Sequence, residues 1–217
     1  MVKAGVNTPA AKWLRLLRPH IRYEIERRGI VTTKEAKIYQ LKIALKYIRP
    51  PIWRRIQVHR DITLAALHQK LQITMGWYDS HLHQFRTGKT YYGTPDIDEF
   101  SELNLKDERK AQLGRILTKP RQKLIYEYDF GDGWEHEILL EKVLAPDPTA
   151  QYPRCLGGAR ACPPEDCGGV GGYADFLQAI SDPDHEEHDE YLEWVGGEFD
   201  PEKFELDEVD AGLRLVE

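Results

Sequence analysis

Alternating apolar and polar side chains predict two strands near the start of the recognisable fold. From Lys37 onward an apolar residue occupies every second position, as in a strand with one buried face: Tyr39, Leu41, Ile43, Leu45 and Tyr47. Pro50-Pro51 interrupts the alternation because proline cannot donate to a sheet ladder, and a second strand is expected at 52–58. Thr63 then begins a helix with an apolar stripe that ends at Gly76.

A β-hairpin is the clearest prediction in the second half of the chain. Apolar residues alternate over 123–130 and again over 134–143, on either side of Gly131-Asp132-Gly133. A three-residue loop would place Tyr128 opposite His136, and Asp129 opposite Glu135. Residues 145–172 are predicted to form a Pro/Gly-rich loop, followed by helices at 173–180, 184–195 and 207–215. This arrangement favours an α+β fold, a single compact domain with an antiparallel or mixed sheet and packed helices.

Residues 1–36 are predicted to be a basic helical appendage to a domain that spans residues 37–217. Within 9–28, apolar residues recur at spacings of three and four. Four basic residues lie between them: Lys12, Arg15, Arg18 and Arg22. Two interpretations remain open. The helix contacts nucleic acid or a partner protein, or it is a docking helix whose basic face is solvated.

Composition restricts the class of protein further. The 217 residues, 41% hydrophobic and 30% charged, are enough for one sizeable core. No apolar run approaches the roughly 20 residues of a membrane helix, and nine charges among the first 30 residues argue against a secretory signal. Because the three cysteines are an odd number, we expect a cytoplasmic protein without a disulfide framework.

The net charge of −6 conceals a strong asymmetry. Residues 1–60 carry a net charge of +12 and residues 61–217 a net charge of −18. Such polarity is compatible with a basic arm for nucleic acid, and also with attraction between the basic and acidic parts of one protein.

Five segments of the chain form a recognisable set of motifs: Ile48-Arg49-Pro50-Pro51-Ile52-Trp53-Arg54-Arg55, Met75-Gly76-Trp77, Ser80-His81-Leu82-His83-Gln84-Phe85, Tyr128-Asp129-Phe130-Gly131-Asp132-Gly133-Trp134-Glu135-His136 and Cys162-Pro163-Pro164-Glu165-Asp166-Cys167-Gly168-Gly169. In their residues and order they resemble the plasmid pRiA ORF-3-like family, which is also labelled as an insertion-element passenger family. The resemblance covers about residues 37–215 and implies a compact α+β domain, often encoded on plasmids or insertion elements, with no established activity.

The three cysteines are candidate zinc ligands. Cys155, Cys162 and Cys167 have C-x6-C-x4-C spacing within a glycine-rich segment. Structural zinc needs four ligands in a tetrahedron, so a histidine would have to complete the set. The alternative is three reduced, partly buried thiols.

A second group of residues is explained neither by periodicity nor by turn chemistry. His81-Leu82-His83 would place two imidazoles on one face of a strand, a geometry that can chelate a metal. We expect a functional surface where this segment, the hairpin turn and the Pro163–Asp166 loop meet. Its candidate residues are His81, His83, Asp129, Asp132, His136, Glu165 and Asp166. The competing interpretation is that Arg54, Arg55 and Arg160 neutralise these acids.

These observations leave two hypotheses for function. The first is a non-catalytic binding module for protein or nucleic acid. The second is a metal-dependent hydrolase or nuclease that uses His81, His83, His136 and nearby carboxylates, with zinc as the candidate cofactor. The sequence contains no H-E-x-x-H, Walker loop or G-x-S-x-G. Convergence of the candidate residues without an arginine between them would favour the second hypothesis.

Overall fold

A computed structural model describes residues 37–95 and 105–215 of the chain. The strands of this part are β1 (Ile38–Leu45), β2 (Trp53–His59), β3 (His83–Thr87), β4 (Thr90–Gly93), β5 (Lys106–Asp107), β6 (Lys123–Tyr128), β7 (Trp134–Leu144) and β8 (Arg154–Ala159). The helices are α1 (Leu64–Met75), α2 (Leu113–Ile116), α3 (Gly169–Ser181), α4 (His188–Trp194) and α5 (Leu206–Leu215).

All eight strands join one mixed sheet, in the order β5-β4-β3-β6-β7-β1-β2-β8. Neighbouring strands are antiparallel except for β4 and β5, which are parallel. The α+β fold is therefore confirmed. The appendage predicted for residues 1–36, with its basic residues, lies outside the described residues. Within the described ranges, every helix is too short or too polar to cross a membrane.

The first strand and the first helix form where the apolar pattern predicted them. Tyr39, Leu41 and Ile43 of β1 are buried in the core. At the start of α1, the Thr63 hydroxyl accepts a hydrogen bond from the Ala66 amide at 3.1 Å. Gly76 ends the helix with φ 79°, a left-handed conformation that suits glycine. The helix buries its apolar stripe against the sheet, so the core lies between them.

The predicted hairpin forms, but its predicted register is wrong by two residues. Tyr126 pairs with His136, and Tyr128 pairs with Trp134. The turn is longer than three residues because Asp129 already leaves the strand, with φ 55°, and its carboxylate accepts a hydrogen bond from the Gly131 amide at 2.9 Å. The Asp129 carboxylate is therefore a turn group, and it does not face Glu135 across the ladder.

Two corrections concern residues 145–172, which the sequence predicted to be a loop. Residues 154–159 form β8, which pairs with β2 although it contains Gly157-Gly158. The glycine run is the start of α3, which begins at Gly169. A Cβ atom at Gly172 would lie 1.8 Å from the carbonyl oxygen of Cys167, so close packing of the helix start requires glycine there.

Helix α5 covers the edge of the sheet at β8. The Asp210 carboxylate accepts a hydrogen bond from the Cys155 amide at 2.8 Å. The Phe204 ring, just before α5, lies so close to Gly158 that a Cβ there would be 2.7 Å from it. The outer side of β8 is thus occupied by side chains of the same domain.

Candidate metal site

Three side chains from separate segments converge at one end of the sheet. His81 precedes β3, Asp129 begins the hairpin turn, and Asp166 lies in the loop before α3. The His81 Nε2 atom is 3.0 Å from Asp166 Oδ1 and 3.7 Å from Asp129 Oδ2. One ligand atom from each residue lies within 4.8 Å of the other two. Atoms that share a divalent ion lie roughly 3 to 5 Å apart, which matches this geometry.

The His81 nitrogen distinguishes this cluster from an ordinary ion pair. Its Nε2 atom is shielded from solvent and forms no hydrogen bond of acceptable geometry. It is close enough to Asp166 for an ion pair but is misaligned for donation to it. A short distance between a nitrogen and a carboxylate oxygen without hydrogen-bond alignment is expected when both atoms point towards a common ion. A buried nitrogen of this kind needs a partner.

Both carboxylates stand on unusual backbone. Asp129 has φ 55° and Asp166 has φ 62°, in the left-handed region that only a few per cent of non-glycine residues occupy. Asp129 is also anchored through its Oδ1 atom, which accepts from the Gly131 amide, so its Oδ2 atom is left to face His81.

Two further acidic candidates hold the loops in place. The Tyr128 hydroxyl donates a short hydrogen bond to Glu165 Oε1, and the Tyr78 amide donates to Oε2 at 3.0 Å. The Gly168 amide donates to Asp132 Oδ2 at 3.2 Å. Burial, reinforced by the Glu165 carboxylate, raises the pKa of Tyr128, which keeps this phenol a donor. Glu165 and Asp132 therefore position the loop that carries Asp166.

The arginines proposed to neutralise these acids bind elsewhere, so that interpretation is wrong. Arg54 donates to the backbone oxygens of Thr74 at 2.9 Å and Ala159 at 3.0 Å. Arg55 forms a bidentate pair with Glu141, at 2.7 and 2.9 Å, and Arg160 pairs with Glu202 at 2.7 Å. Among the ion pairs of the described residues, those of Asp129 and Asp166 are with His81.

His136 does not belong to the cluster, contrary to the sequence prediction. The side chain is fully buried, and its Nδ1 atom donates to the Trp134 carbonyl at 3.0 Å. Its ring makes an edge contact with Trp77 at a centroid distance of 5.3 Å. Burial lowers the pKa of His136 to about 4, so the imidazole is neutral at physiological pH.

His83 joins a second cluster, which the sequence did not reveal. Its ring stacks on that of His68 at a centroid distance of 3.5 Å, and its Nε2 atom is 2.9 Å from Glu108 Oε2. Asp79 lies close enough to His68 and His83 for these three to be a second group of candidate ligands. His81 and His83, two residues apart, therefore belong to different clusters. His68 itself is buried on the apolar side of α1.

The hydrogen bonds of this second cluster determine which ring nitrogen of His68 carries the proton. Gln72 Oε1 accepts from the Asp79 amide at 3.1 Å, so Gln72 Nε2 is the group that donates to the Tyr126 hydroxyl at 2.9 Å. That hydroxyl then donates to His68 Nδ1 at 2.8 Å, and His68 Nε2 donates to Asp79 at 2.8 Å. Burial, and then the nearby His83, lower the pKa of His68. A neutral His68 in this tautomer has no lone pair left for a metal.

The cysteines do not form the metal site considered from their spacing. In the described ranges, neither group of three or more candidate ligands includes a cysteine. Burial raises the pKa of Cys162 to about 11 and that of Cys167 to about 12, so both are protonated thiols in the metal-free protein. Cys162 Sγ lies 3.2 Å from Met75 Sδ, in the manner of a packed side chain.

A cleft of about 490 Å³ opens beside the His81 cluster. Glu165 and Asp166 line it, together with the aromatic side chains of Trp77, Tyr78 and Trp194. The Trp77 ring is fixed by a hydrogen bond from its Nε1 atom to the Pro163 carbonyl at 2.9 Å. The candidate ligand Asp166 therefore lies on the wall of a space large enough for a small molecule or a side chain.

Comparison with known proteins agrees with this fold. The model of the plasmid pRiA4b ORF-3-like protein family matches residues 37–208. The chain belongs to this family. An uncharacterised protein, y4hQ of Sinorhizobium fredii, is 40% identical over 161 residues, which are 74% of this chain and 82% of that protein.

A solved crystal structure is also similar in sequence and fold. The crystal structure of MM3350 from Methanosarcina mazei Go1, described as a protein of unknown function, is 37% identical and superimposes with a TM-score of 0.72. The match covers 80% of this chain and 96% of MM3350. These relatives establish the family and the fold, and their descriptions assign no activity.

Proposed function

We propose that this member of the pRiA4b ORF-3-like family is a divalent-metal-dependent hydrolase, with His81, Asp129 and Asp166 as the metal ligands. The supporting observation is the solvent-shielded His81 Nε2 atom, which faces two carboxylates without a hydrogen bond to either. One imidazole and two carboxylates are a mixed ligand set that suits first-row ions such as Zn²⁺ or Mn²⁺.

Three protein ligands leave coordination positions open, as catalytic metal sites do. Zn²⁺ held by these residues would supply an activated water, because bound Zn²⁺ lowers the pKa of its water towards neutrality. The cleft lies on the Asp166 side, where a substrate carbonyl or phosphoryl group would approach the ion. Glu165 and Asp132 fix the loop that carries Asp166 through their hydrogen bonds with the Tyr128 hydroxyl and the Gly168 amide.

A non-catalytic binding module is the second candidate. Tyr78 is 86% exposed and Trp194 is 46% exposed, and both line the cleft. Exposed aromatic side chains in a cleft are typical of recognition surfaces, and they would bind a partner whether or not a metal reacts beside them.

Two observations bear on the cellular setting of the protein: its free cysteines and the description of its family. Cys155, Cys162 and Cys167 are free thiols, which supports a reducing, cytoplasmic location. The plasmid origin in the family description supports service to a mobile element. Contact with protein or nucleic acid through Lys12, Arg15, Arg18 and Arg22 stays a prediction.

Calorimetric titration with Zn²⁺ and Mn²⁺ tests the ligand set. We expect one ion per chain, with His81→Ala or Asp166→Asn weakening binding by more than about 100-fold, since even outer-shell changes cost about 10- to 100-fold. His59→Ala and Asp61→Asn, at exposed residues outside the cluster, are matched controls that should bind as the wild type does.

Hydrolysis is then measured with the metal-loaded full chain. A chromogenic phosphodiester and fluorogenic peptides cover the two main bond types. We expect turnover of one class that is lost on chelation and in Asp166→Asn. If one ion binds per chain but no substrate is hydrolysed, the hydrolase is rejected and the non-catalytic binding module is supported. If no ion binds to the wild type, the metal site is rejected.

A further inference from the structure

The surface around the cleft is apolar as well as acidic. Eight large apolar side chains of the described residues are exposed, and half of them are near the candidate site: Tyr78, Leu82, Phe130 and Trp194. Leu82 follows His81 and Phe130 follows Asp129 along the chain, while Tyr78 and Trp194 line the cleft itself. Isolated exposed apolar residues need no explanation, but a group beside a cleft indicates contact with a partner.

Carboxylates supply the charge of this surface. The cleft lining includes Glu165 and Asp166, and it includes neither lysine nor arginine among the described residues. Five more acids precede Trp194 in the sequence, although none of them is part of the cleft lining: Glu186, Glu187, Asp189, Glu190 and Glu193. A divalent ion would balance only Asp129 and Asp166, so the cleft stays negative when the metal is bound.

The negative charge of the cleft favours cationic substrates over nucleic acid, and metal-dependent hydrolases act on both kinds. A nucleic acid brings a phosphate every few ångströms, and its binding depends on lysines and arginines that this cleft lacks. Nucleobases stack on exposed aromatic rings, yet the phosphates beside them would face the carboxylates of Glu165 and Asp166. A cationic side chain would instead be attracted by the same carboxylates, and its aromatic or aliphatic neighbour would pack on Tyr78 and Trp194.

We infer that the cleft binds a peptide segment in which a basic residue adjoins an aromatic or large apolar one, and that nucleic acid is excluded. The inference deepens the proposed function, since it names the substrate class of the same site. The hydrolysed bond is then an amide. The water oxygen bonds to the carbonyl carbon, the C–N bond breaks, and the leaving nitrogen takes a proton from that water, which yields a carboxylic acid and an amine.

Fluorescence anisotropy with two labelled probes tests the inference on the full chain loaded with Zn²⁺. One probe is an eight-residue peptide of alternating lysine and phenylalanine, and the other is an oligothymidylate of eight nucleotides. We expect the peptide to bind, and Tyr78→Ala or Trp194→Ala to raise its Kd by about 10-fold or more. Tyr47→Ala is the matched control, because Tyr47 is 69% exposed and is not part of the cleft lining.

A charge reversal separates peptide from nucleic acid. Glu193→Lys, at an exposed residue next to Trp194, should weaken peptide binding several-fold and strengthen oligothymidylate binding. Both aromatic variants change exposed side chains, and a thermal melt that matches the wild type shows that a loss of binding is not a loss of fold. Oligothymidylate binding that is tighter than peptide binding and is weakened by Trp194→Ala would overturn the inference. Peptide binding that Tyr78→Ala and Trp194→Ala leave unchanged would also overturn it.

The two proposals fail differently. If calorimetry shows metal binding at His81 and the loaded protein cleaves a phosphodiester, the hydrolase is supported and the peptide inference is rejected. If no metal binds but peptide binding still depends on Trp194, the hydrolase is rejected and the peptide-binding cleft is supported.

Discussion

Acid should destabilise this protein through His136, whose imidazole is held uncharged within the core. The side chain is fully buried, and burial lowers its pKa from the ordinary 6.5 to about 4. In the unfolded chain the same group takes up a proton near pH 6.5. Between these two values the unfolded state therefore binds a proton that the folded state excludes, and stability falls as the pH falls.

The size of this effect follows from the pKa difference. Each unit corresponds to about 1.4 kcal/mol, so His136 should remove about 3 kcal/mol of the free energy of unfolding between pH 7 and pH 4. The full stability is present above pH 6.5, and the loss is complete near pH 4. For a domain stabilised by roughly 5 to 15 kcal/mol, this is a substantial fraction.

Urea unfolding at half-unit intervals from pH 7.5 to pH 4.5 measures the effect. The wild type is compared with His136→Gln, which does not titrate, and with His59→Gln, an exposed-site control. His68, whose pKa is also lowered, contributes equally to each protein, so the difference between wild type and His136→Gln isolates His136. Parallel curves for these two proteins would refute the reasoning. In the intact protein, the His136 ring proton resonances should not shift between pH 8 and pH 5.5.

Two further predictions concern the loop that carries Asp166. Gly172→Ala should destabilise the protein by more than about 2 kcal/mol, because its Cβ would overlap a carbonyl oxygen. Gly171→Ala has open space around its Cβ and should stabilise α3 by up to about 1 kcal/mol. Equal melting temperatures for the two variants would contradict this packing. Tyr128→Phe removes the hydrogen bond to Glu165 and should weaken Zn²⁺ binding about 10- to 100-fold. Tyr47→Phe is the control and should leave Zn²⁺ binding unchanged. Calorimetric titration of both variants with Zn²⁺ tests this prediction.

The sequence predicted the elements whose pattern is local. β1 alternates strictly, and α1 carries a cap residue at each end, so both were found at nearly their final bounds. β8 was missed because its central glycines, Gly157 and Gly158, have no side chain to alternate. Gly158 is explained by the Phe204 ring, which packs on it from a distant segment, whereas Gly157 lies against the Trp53 ring. The predicted hairpin register was wrong for a different reason. Alternation of apolar residues does not determine the length of the turn, which here depends on the left-handed conformation of Asp129.

The candidate site was predicted in part. His81, Asp129 and Asp166 were selected because neither periodicity nor turn chemistry explained them, and the structure brings these three together. His83 was grouped with His81 on the assumption that 81–83 is a regular strand, but β3 begins only at His83 and the two rings separate. The His68 partner gave no signal, because a histidine within an apolar helical stripe resembles any packed core residue.

The cover that α5 provides for β8 bears on how the protein behaves at high concentration. A free sheet edge offers its amides to the strand of another molecule, which is a common route to aggregation. Here the Cys155 amide is already bound to Asp210, and at the other end of the sheet β5 has two residues, too few to template a new strand. Both edges of the described sheet are therefore protected, one by α5 and the other by the shortness of its last strand. Loss of α5 would expose the backbone amides of β8 to strands of other molecules.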